Sequence, residues 1–496
     1  MKVCVIHMQR VTGEQTDNDR FCDPGRYIPS EIHHFQHHFI HKGHIEQDID
    51  GICNDKTYDF YLSCLGNPEQ GNDGDDAAAT VMQAARYLER RLAPEKLVGN
   101  TVHALQLATP YSDRFRTAAR LNHDISSEEE VHVNVVILEM GHAVVALEPI
   151  VQQHDASFNN SAPDNKKLLI TDEPRRTQIR QTAEAYFKDS MGLQGTGIGW
   201  CEVVMRINTT TPTRQQQIHV LKVDPCPKIF CSSPVDDVIT KTYPGSHRAL
   251  FDTLLATRII QTNSRASAQQ NISTFFNKFS QTYDLGWDIP SVLTLRNVLA
   301  VEHDWTGSIL DLACGSGFLG QALHEAAGAP SSPSPFNITG VDVSPSMASS
   351  DRIKKYYLSP IHIEPLERYI MKVGEQRYDH VACFNTLHYL PPVVFSAVLS
   401  RMFKIASRSI SFDLYDPPGR HIDRTNALIG AEAIFNNTGV MRGWFGTTPP
   451  VGWKQVMERR QHLFKSPVAD GVDVWGTFYR FERDERDECF TSGRLR

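Results

Sequence analysis

The chain has 496 residues, of which 41% are hydrophobic and 22% are charged, and its formal net charge is −8. This length exceeds what one hydrophobic core supports, so we expect two or three domains of an ordinary globular protein. The acidic balance, without a long basic run, argues against nucleic acid as a partner.

The sequence carries no targeting or membrane signal. No stretch approaches the roughly 18 continuous apolar residues of a membrane helix, and the N-terminal residues MKVCVIHMQR lack the hydrophobic region and cleavage site of a signal peptide. The ten cysteines are dispersed and form no CxxC pair, which is typical of reduced thiols. We therefore expect a cytoplasmic protein that does not bind membranes.

The first part of the chain alternates between strand-like and helix-like patterns, in the order of an α/β layer structure. The predicted elements are a strand at 3–6, a helix at 30–42 ended by Gly43, an extended segment at 44–49, a strand at 58–65 and a helix at 76–91. Next come a hairpin at 131–138 and 143–149, a helix at 176–190, strands at 202–207 and 219–223, and a helix at 246–262.

Small polar residues without apolar periodicity follow the helix at 246–262. We place the domain boundary there, which predicts a first domain at 1–262, a linker at 263–275 and a second domain at 276–496. The low-complexity insert at 328–336 predicts a surface loop within the second domain.

A strand, a tight glycine turn and a helix are predicted within SILDLACGSGFLG at 308–320. Gly315 and Gly317 allow backbone torsions that a Cβ atom would forbid. A second strand follows and ends at Asp342. A carboxylate at this strand tip is placed to accept hydrogen bonds from both ribose hydroxyls of an adenosine.

The spacing of Gly315, Gly317 and Gly320 also satisfies the GxGxxG pattern of dinucleotide-binding proteins. Asp311, four positions before the first glycine, discriminates between the two kinds of ligand. A carboxylate there would repel a pyrophosphate at the helix N-terminus but attract an ammonium group. The pattern therefore favours an adenosine attached to a zwitterionic amino acid.

Four motifs, in this order, resemble those of class I S-adenosylmethionine-dependent methyltransferases. They are NKFSQTYD at 277–284, DLACGSGFLG at 311–320, GVDVSPSM at 340–347 and YDHVACFNTLHYL at 378–390. The first is similar to the helix that those enzymes fold over the cofactor. The resemblance implies a Rossmann-like domain with a seven-stranded, mostly parallel sheet, and S-adenosyl-L-methionine as its cofactor.

The same resemblance implies roles for individual residues. Asp311 and the glycine turn would hold the methionine end and Asp342 the ribose, while Asn385 would lie near the sulfonium. Ser344 and Met347 would flank the adenine. The cofactor-binding residues that it implies are Tyr283, Asp311, Ala313, Cys314, Gly315, Gly317, Asp342, Val343, Ser344, Met347, Glu364 and Asn385. The family often has an acidic or polar residue after the third strand, and in IHIEPL only Glu364 is a candidate for it.

His388 in NTLHYL is the candidate general base, with packing beneath the cofactor as the alternative. Acceptor binding is expected beyond a strand at 409–414, in Gly/Pro-rich loops at 416–424 and 441–450. The polar and aromatic residues of these loops suit a carboxylated or aromatic acceptor, although solvated surface loops fit them too. These residues are Arg420, His421, Arg424, Arg442 and Trp444.

Residues 1–260 resemble, more distantly, the D-alanine–D-alanine ligase branch of the ATP-grasp family. MKVCVIH, YDFYLSCLG and DDAAATVMQAARYLE are similar to its first domain, and GTGIGWCEVVMRIN and IHVLKVDPCPKIF to its last nucleotide-binding strands. The short segment between residues 100 and 131 leaves no room for the lid that carries the phosphate-binding lysines. Glu202, Lys222 and Asp224 stand at the metal-binding positions, where a lysine opposes Mg²⁺. The resemblance therefore implies an ATP-grasp-like domain that has lost ligase activity.

Two groups of residues are of types that commonly bind metal ions. His33, His37 and His41 would share one face of the helix predicted at 30–42. No cysteine or carboxylate completes that face, so we interpret it as solvated. Cys226 and Cys231 have no second pair. We therefore predict that the chain binds no metal.

We predict a methyltransferase that acts on a small-molecule methyl acceptor, for which an amino-acid-derived compound of specialised metabolism is a candidate. Its N-terminal domain is a candidate surface for a homodimer. Three alternatives remain open. They are a bifunctional ligase–methyltransferase, an enzyme that cyclises or cleaves S-adenosylmethionine itself, and a binding protein without catalysis.

Overall fold

A computed structural model of the chain describes residues 1–8, 22–65, 75–99, 105, 130–140, 143–152, 170, 172–190, 199–208, 218–224, 227, 229–286, 300–328, 336–373, 378–445 and 449–484. The chain divides into two compact units between Thr262 and Asn263. Each unit has its own sheets and hydrophobic cores. None of the described helices is long and apolar enough to cross a membrane.

The first unit begins with a four-stranded parallel sheet in the order β2-β1-β3-β4. Its elements are β1 (Lys2–Met8), β2 (His34–Ile40), α1 (Ile45–Asn54), β3 (Phe60–Cys64), α2 (Asp75–Arg91) and β4 (Leu97–Gly99). Side chains of β1, β3, α1 and α2 form one core. The continuous apolar runs of β1 and β3 are typical of parallel strands that are covered on both faces.

The helix predicted at 30–42 and the extended segment predicted at 44–49 are both wrong. Residues 34–40 form β2, which pairs with β1 from Lys2↔His34 to Met8↔Ile40. The helix lies further along, in α1, where Ile45, Ile49 and Ile52 are buried at helical spacing. Pairing with β1, which is remote in sequence, overrides the local pattern.

The second sheet of this unit is antiparallel and has five strands, in the order β6-β5-β8-β9 with β7 on β5. Its strands are β5 (Glu130–Met140), β6 (Ala143–Ala146), β7 (Ile150–Gln152), β8 (Trp200–Asn208) and β9 (His219–Asp224). The helices are α3 (Glu173–Ala185), α4 (Pro234–Thr242) and α5 (Ser246–Gln261). The predicted hairpin is confirmed, because β5 and β6 pair from Ile137↔Ala146 to Met140↔Ala143.

The second unit contains a seven-stranded sheet in the order β12-β11-β10-β13-β14-β16-β15. Its strands are β10 (Ser308–Leu312), β11 (Asn337–Asp342), β12 (His362–Ile363), β13 (Tyr378–Cys383), β14 (Ala406–Asp416), β15 (Trp453–Lys465) and β16 (Asp473–Arg483). The first five in this order are parallel, and β16 is antiparallel to both of its neighbours, β14 and β15. The predicted Rossmann-like, mostly parallel sheet of seven strands is therefore confirmed.

Helices connect these strands. They are α6 (Ala266–Gly286), α7 (Ala300–Glu302), α8 (Phe318–Ala326), α9 (Pro345–Ala348), α10 (Asp351–Tyr356), α11 (Leu366–Lys372), α12 (Pro392–Ile405), α13 (Gly419–Ile429) and α14 (Thr438–Phe445). Most of the insert predicted as a loop, residues 329–335, lies outside the described residues.

Three segments predicted as linker or loop overlap helices. The linker at 263–275 contains the first ten residues of α6, and the loops at 416–424 and 441–450 overlap α13 and α14. Pro417 and Pro418 precede the first turn of α13, where a missing backbone N–H removes no hydrogen bond. Gly430 ends the same helix in a left-handed conformation, with φ of 76°. These prolines and glycines therefore mark helix ends and not loops.

Candidate functional site

A cavity that is open to solvent lies in the second unit, beside the carboxyl ends of β10, β11 and β13; its empty space, with the solvent at its mouth included, is about 1010 Å³. In this sheet β10 lies between β11 and β13. The chain passes from β10 to β11 and β12 on one side of the sheet and then continues with β13 and β14 on the other side, so the strand order reverses at β10. Such a reversal leaves a crevice at the carboxyl ends of parallel strands, where ligands bind in open α/β sheets. The topology therefore places the cavity at the usual ligand position of this architecture.

The turn between β10 and α8 forms one wall of the cavity. The Cys314 backbone N–H donates to the Val341 carbonyl at 2.9 Å, which ties the turn to β11. Gly317 has φ of 90°, and a Cβ atom there would lie 3.2 Å from the Ile353 backbone nitrogen. A side chain at this position would therefore be strained and crowded, and the turn requires glycine.

Asp311 reaches the cavity from β10 although it is almost fully buried. The Tyr357 hydroxyl donates to Asp311 Oδ2 at 2.5 Å. Burial raises the pKa of Asp311 to about 7, and the charge of Asp342 adds to this effect, while the Tyr357 hydrogen bond opposes it. A positively charged group in the cavity would favour the ionised form of this carboxyl.

Asp342 lies at the carboxyl end of the neighbouring strand β11. Its Oδ2 accepts the Gly315 backbone N–H and its Oδ1 accepts the Ser344 backbone N–H, each at 2.8 Å. Burial raises the pKa of Asp342 to about 6, against the effect of these backbone donors. Each oxygen keeps a lone pair, so the carboxylate is able to accept two hydroxyl groups at once.

The opposite wall consists of Arg265 and the first half of α6, a segment that the sequence prediction treated mostly as a linker. Arg265, Gln269, Ile272 and Phe276 line the cavity, and their spacing of four, three and four residues is that of a helix face. Arg265 Nη1 donates to Glu367 Oε1 at 3.2 Å, and Gln269 Nε2 donates to the same oxygen at 2.8 Å. The spacing was visible in the sequence, but the interpretation of this segment as a linker concealed it.

Asn385 enters the cavity from the turn after β13, with φ of 57°. Its backbone N–H donates to Asp413 Oδ1 at 2.7 Å, and its Oδ1 accepts the Tyr415 hydroxyl at 2.7 Å. Two buried groups on β14 therefore hold Asn385 in a left-handed conformation, which asparagine tolerates better than most residues. Its amide N–H₂ group is left to face a ligand.

Eight of the predicted cofactor-binding residues lie together around the cavity. They are Asp311, Ala313, Cys314, Gly315, Asp342, Val343, Met347 and Asn385. Gly317 shapes the turn without lining the cavity. Ser344 is buried below it, where its Oγ accepts the Met347 backbone N–H and donates to Asn277 Oδ1. Tyr283 lies in α6, and its side chain is outside the described part of the structure.

Glu364 and His388 do not line the cavity, and the roles predicted for them are corrected. The Glu364 carboxylate pairs with Lys372 Nζ at 2.6 Å, and the acid that does line the cavity is Glu367, three residues further on. The His388 ring is buried and stacks on Tyr415, with 4.2 Å between ring centroids. Burial lowers the pKa of His388 to about 3, so it would be a weak general base.

The residues proposed for acceptor binding also lie away from the cavity lining. They are Arg420, His421, Arg424, Arg442 and Trp444. His421 is buried against Ser466, with 2.8 Å between Nδ1 and Oγ, and the Trp444 indole N–H donates to Ser396 Oγ at 2.8 Å. These two side chains serve packing in α13 and α14.

The three histidines predicted to share a helix face have separate partners. His33 pairs with Asp252 at 2.7 Å, His37 with Asp23 at 3.1 Å and His41 with Asp48 at 2.8 Å. The reason is the β2 strand, in which residues four apart are too distant to share a ligand. Over the described residues, no group of three or more potential ligands could hold a metal ion.

Three further predicted residues lie wholly or partly outside the described structure. Cys226 is outside the described residues, as are the side chains of Lys222 and Asp224. Glu202 is buried on β8 and accepts a hydrogen bond from the Asn134 side chain on β5. This contact satisfies Glu202 within its own sheet.

Residues 309–408 match a family model described as a methyltransferase domain. They run from β10 into β14 and include the glycine turn, Asp311, Asp342 and Asn385. This part of the chain is a methyltransferase domain. Its cofactor is S-adenosylmethionine.

Solved structures of methyltransferases resemble the methyltransferase domain at low identity. Magnesium protoporphyrin IX methyltransferase from Synechocystis is 17% identical, covers 45% of this chain and 84% of its own, and has a TM-score of 0.27. The N-methyltransferase NodS from Bradyrhizobium japonicum is 15% identical, covers 40% and 85%, and also has a TM-score of 0.27. A search of curated proteins finds no significant match.

Proposed function

We propose that the second unit is an S-adenosylmethionine-dependent methyltransferase that acts on a small molecule. We further propose that the first unit, up to residue 262, is a degenerate ATP-grasp-like domain without ligase activity. The observation that carries the first proposal is the pair of buried carboxylates, Asp311 and Asp342, at the ends of adjacent strands around one cavity.

The cavity residues fit the two polar ends of the cofactor. Asp311 Oδ1 accepts no hydrogen bond from the described residues, so it is available to the ammonium group of the methionine moiety. Asp342 has lone pairs for the two ribose hydroxyls. Met347 and Leu366 offer apolar surface for the adenine ring.

When bound, S-adenosylmethionine supplies an electrophilic methyl group on a sulfonium leaving group. The protein then has to align the acceptor with this methyl group and exclude water. Ile272, Phe276, Phe384 and Leu390 provide an apolar wall for this purpose. This apolar wall favours a small, largely apolar acceptor. The nucleophilic atom of that acceptor would be deprotonated or would carry a free lone pair.

The proposal for the first unit rests on its mixed architecture and its chemistry. A parallel sheet precedes an antiparallel sheet, as the resemblance to ATP-grasp ligases implies. Glu202 is engaged with Asn134, and a lysine stands at position 222 among the expected metal ligands. A polyphosphate needs metal ions and lysines for charge compensation, so this arrangement favours a structural role or a role in dimerisation.

Calorimetric titration of the full chain tests both proposals. S-adenosylmethionine, Mg-ATP and NADH are titrated separately into the wild type, Asp342→Ala and Asp351→Ala. Asp351 is a matched control because its side chain is 99% exposed on nearby α10. We expect only S-adenosylmethionine to bind and Asp342→Ala to weaken it at least about tenfold, or about 1.4 kcal/mol, while Asp351→Ala leaves it unchanged.

Binding of Mg-ATP without S-adenosylmethionine would contradict the assignment and make the first unit the enzyme. Incubation with S-adenosylmethionine alone, followed by chromatography, separates the remaining alternatives. Release of methylthioadenosine or another cleavage product without an acceptor would identify a cofactor-cleaving enzyme. Tight binding without turnover on any acceptor would identify a binding protein.

A further inference from the structure

Tyr357 lies directly below the glycine turn of the cofactor cavity. It follows α10 and is 6% exposed. A Cβ atom on Gly320 would lie 2.6 Å from Tyr357 Cε2, and one on Gly317 would lie 3.2 Å from the same atom. The third glycine of the GxGxxG spacing therefore makes room for a tyrosine ring, which explains the dinucleotide-like pattern without a phosphate ligand.

The space cleared by these glycines lets the Tyr357 hydroxyl reach Asp311. It donates to Asp311 Oδ2 at 2.5 Å, the one hydrogen bond that this carboxyl accepts from the described part of the chain. Burial and the charge of Asp311 raise the pKa of Tyr357 well above its usual range, so the phenol remains a donor. Oδ1 of Asp311 is the oxygen left for the cavity.

We propose that Tyr357 is a positioning residue that fixes the Asp311 carboxylate for the ammonium group of the cofactor, and so makes the site select adenosine ligands that carry an amino acid. This inference rests on the proposed function of the second unit. Tyr357 itself does not line the cavity, so its effect on the ligand passes through Asp311.

The physical reason is the cost of a buried carboxylate without partners. A charge-assisted hydrogen bond to one oxygen compensates for part of the lost hydration, and it prevents rotation of the carboxyl group. Without the phenol hydroxyl, Asp311 would take up a proton or turn away, and an ammonium ligand would lose its counter-charge. The binding affinity of a ligand that lacks the amino acid would stay the same.

Calorimetry on the full chain with two related ligands tests this inference without a known acceptor. S-adenosylhomocysteine carries the amino acid, and 5′-methylthioadenosine has the same nucleoside and thioether without it. The variants are Tyr357→Phe and the control Tyr356→Phe. Tyr356 is the buried neighbour, and its hydroxyl makes no hydrogen bond to the described residues.

We expect Tyr357→Phe to lower the affinity for S-adenosylhomocysteine about tenfold, as loss of a hydrogen bond to a charged group implies. The affinity for methylthioadenosine should fall less than about twofold. Tyr356→Phe should change neither affinity. Equal weakening of both ligands by Tyr357→Phe, or no weakening, would overturn the positioning role. A wild-type protein that binds neither ligand would instead refute the proposed function of the unit.

A second comparison removes the buried charge that Tyr357→Phe alone would leave without its hydrogen-bond donor, and with it the main reason for that variant to misfold. Asp311→Asn removes the buried charge, and the double variant adds Tyr357→Phe to it. Because Tyr357 acts through the Asp311 charge, the two proteins should bind S-adenosylhomocysteine equally. A further loss in the double variant would show that Tyr357 acts by another route and would contradict the inference.

Discussion

His33 Nε2 lies 2.7 Å from Asp252 Oδ1, although the two residues are 219 positions apart in the chain. The side chains are 3% and 1% exposed. His33 directly precedes β2, and Asp252 lies in α5, so the pair ties the edge of the parallel sheet to the last helix of the first unit. A buried carboxylate that loses one partner keeps much of its desolvation cost, although Asp252 Oδ2 still lies 3.5 Å from Arg248 Nε.

We therefore expect His33→Ala to lower the free energy of unfolding of the first unit by about 1–3 kcal/mol, the cost of leaving one buried acceptor without its hydrogen bond. His34→Ala is the matched control, because the neighbouring ring is exposed. Urea unfolding measures both variants, and binding of S-adenosylhomocysteine reports whether the second unit stays intact. Equal stability of the two variants would mean that the buried pair contributes nothing.

Glu367 anchors two residues at the cavity wall, Gln269 of α6 and Arg265 directly before that helix. We expect Glu367→Ala to weaken S-adenosylhomocysteine about tenfold, because a hydrogen bond to a charged group contributes roughly 1.5–3 kcal/mol and the cavity face of α6 loses its anchor. Glu432 is exposed and acts on Arg265 only through its charge. Glu432→Ala should change the affinity less than about twofold, and a similar loss in both variants would refute the anchoring role.

We expect the stability of the folded protein to depend on pH because the carboxyl group of Asp413 is buried. Burial raises its pKa to about 7, while an aspartate in the unfolded chain titrates near 3.9. The folded state therefore holds a proton that the unfolded state releases. The resulting stability is fully present below about pH 4 and is lost as the pH rises through 7.

Asp413→Asn removes this titration and keeps an oxygen that is able to accept the Asn385 N–H. Asp311 and Asp342 titrate in the same range, but they are present in both proteins. We therefore expect urea unfolding to show a smaller loss of stability in the variant than in the wild type between about pH 5 and 8. Parallel curves would mean that Asp413 does not change its protonation in this range.

The sequence analysis names His388 as the candidate general base, and a substitution of His388 tests that prediction. Its ring is buried on Tyr415, outside the cavity lining, and burial lowers its pKa to about 3. We expect His388→Phe to bind S-adenosylhomocysteine within about twofold of the wild type, since a neutral stacking ring is replaced by another. Asn385→Ala, which alters the cavity lining, is the positive control and should weaken binding. A tenfold loss of affinity for S-adenosylhomocysteine in His388→Phe would show that His388 contributes to the cofactor site.

The sequence by itself determined those features that depend on neighbours along the chain. Gly317 with its positive φ, the strand that ends at Asp342 and the helix at α2 follow from local torsions and periodicity. The resemblance of the motifs to class I methyltransferases likewise implied the seven-stranded sheet, and three of the four motifs each contain the end of one strand and the turn after it.

Only the tertiary structure decided the features that depend on remote partners. Residues 34–40 became a strand because β1 was available to pair with them. Glu367, which lines the cavity where Glu364 does not, accepts hydrogen bonds from Arg265 and from Gln269 of α6, about a hundred residues earlier in the chain. Tyr357 carries no motif, and its link to Asp311 exists because the chain folds it under Gly320. Burial and strand pairing join residues far apart in sequence, and local patterns do not encode which of these contacts will form.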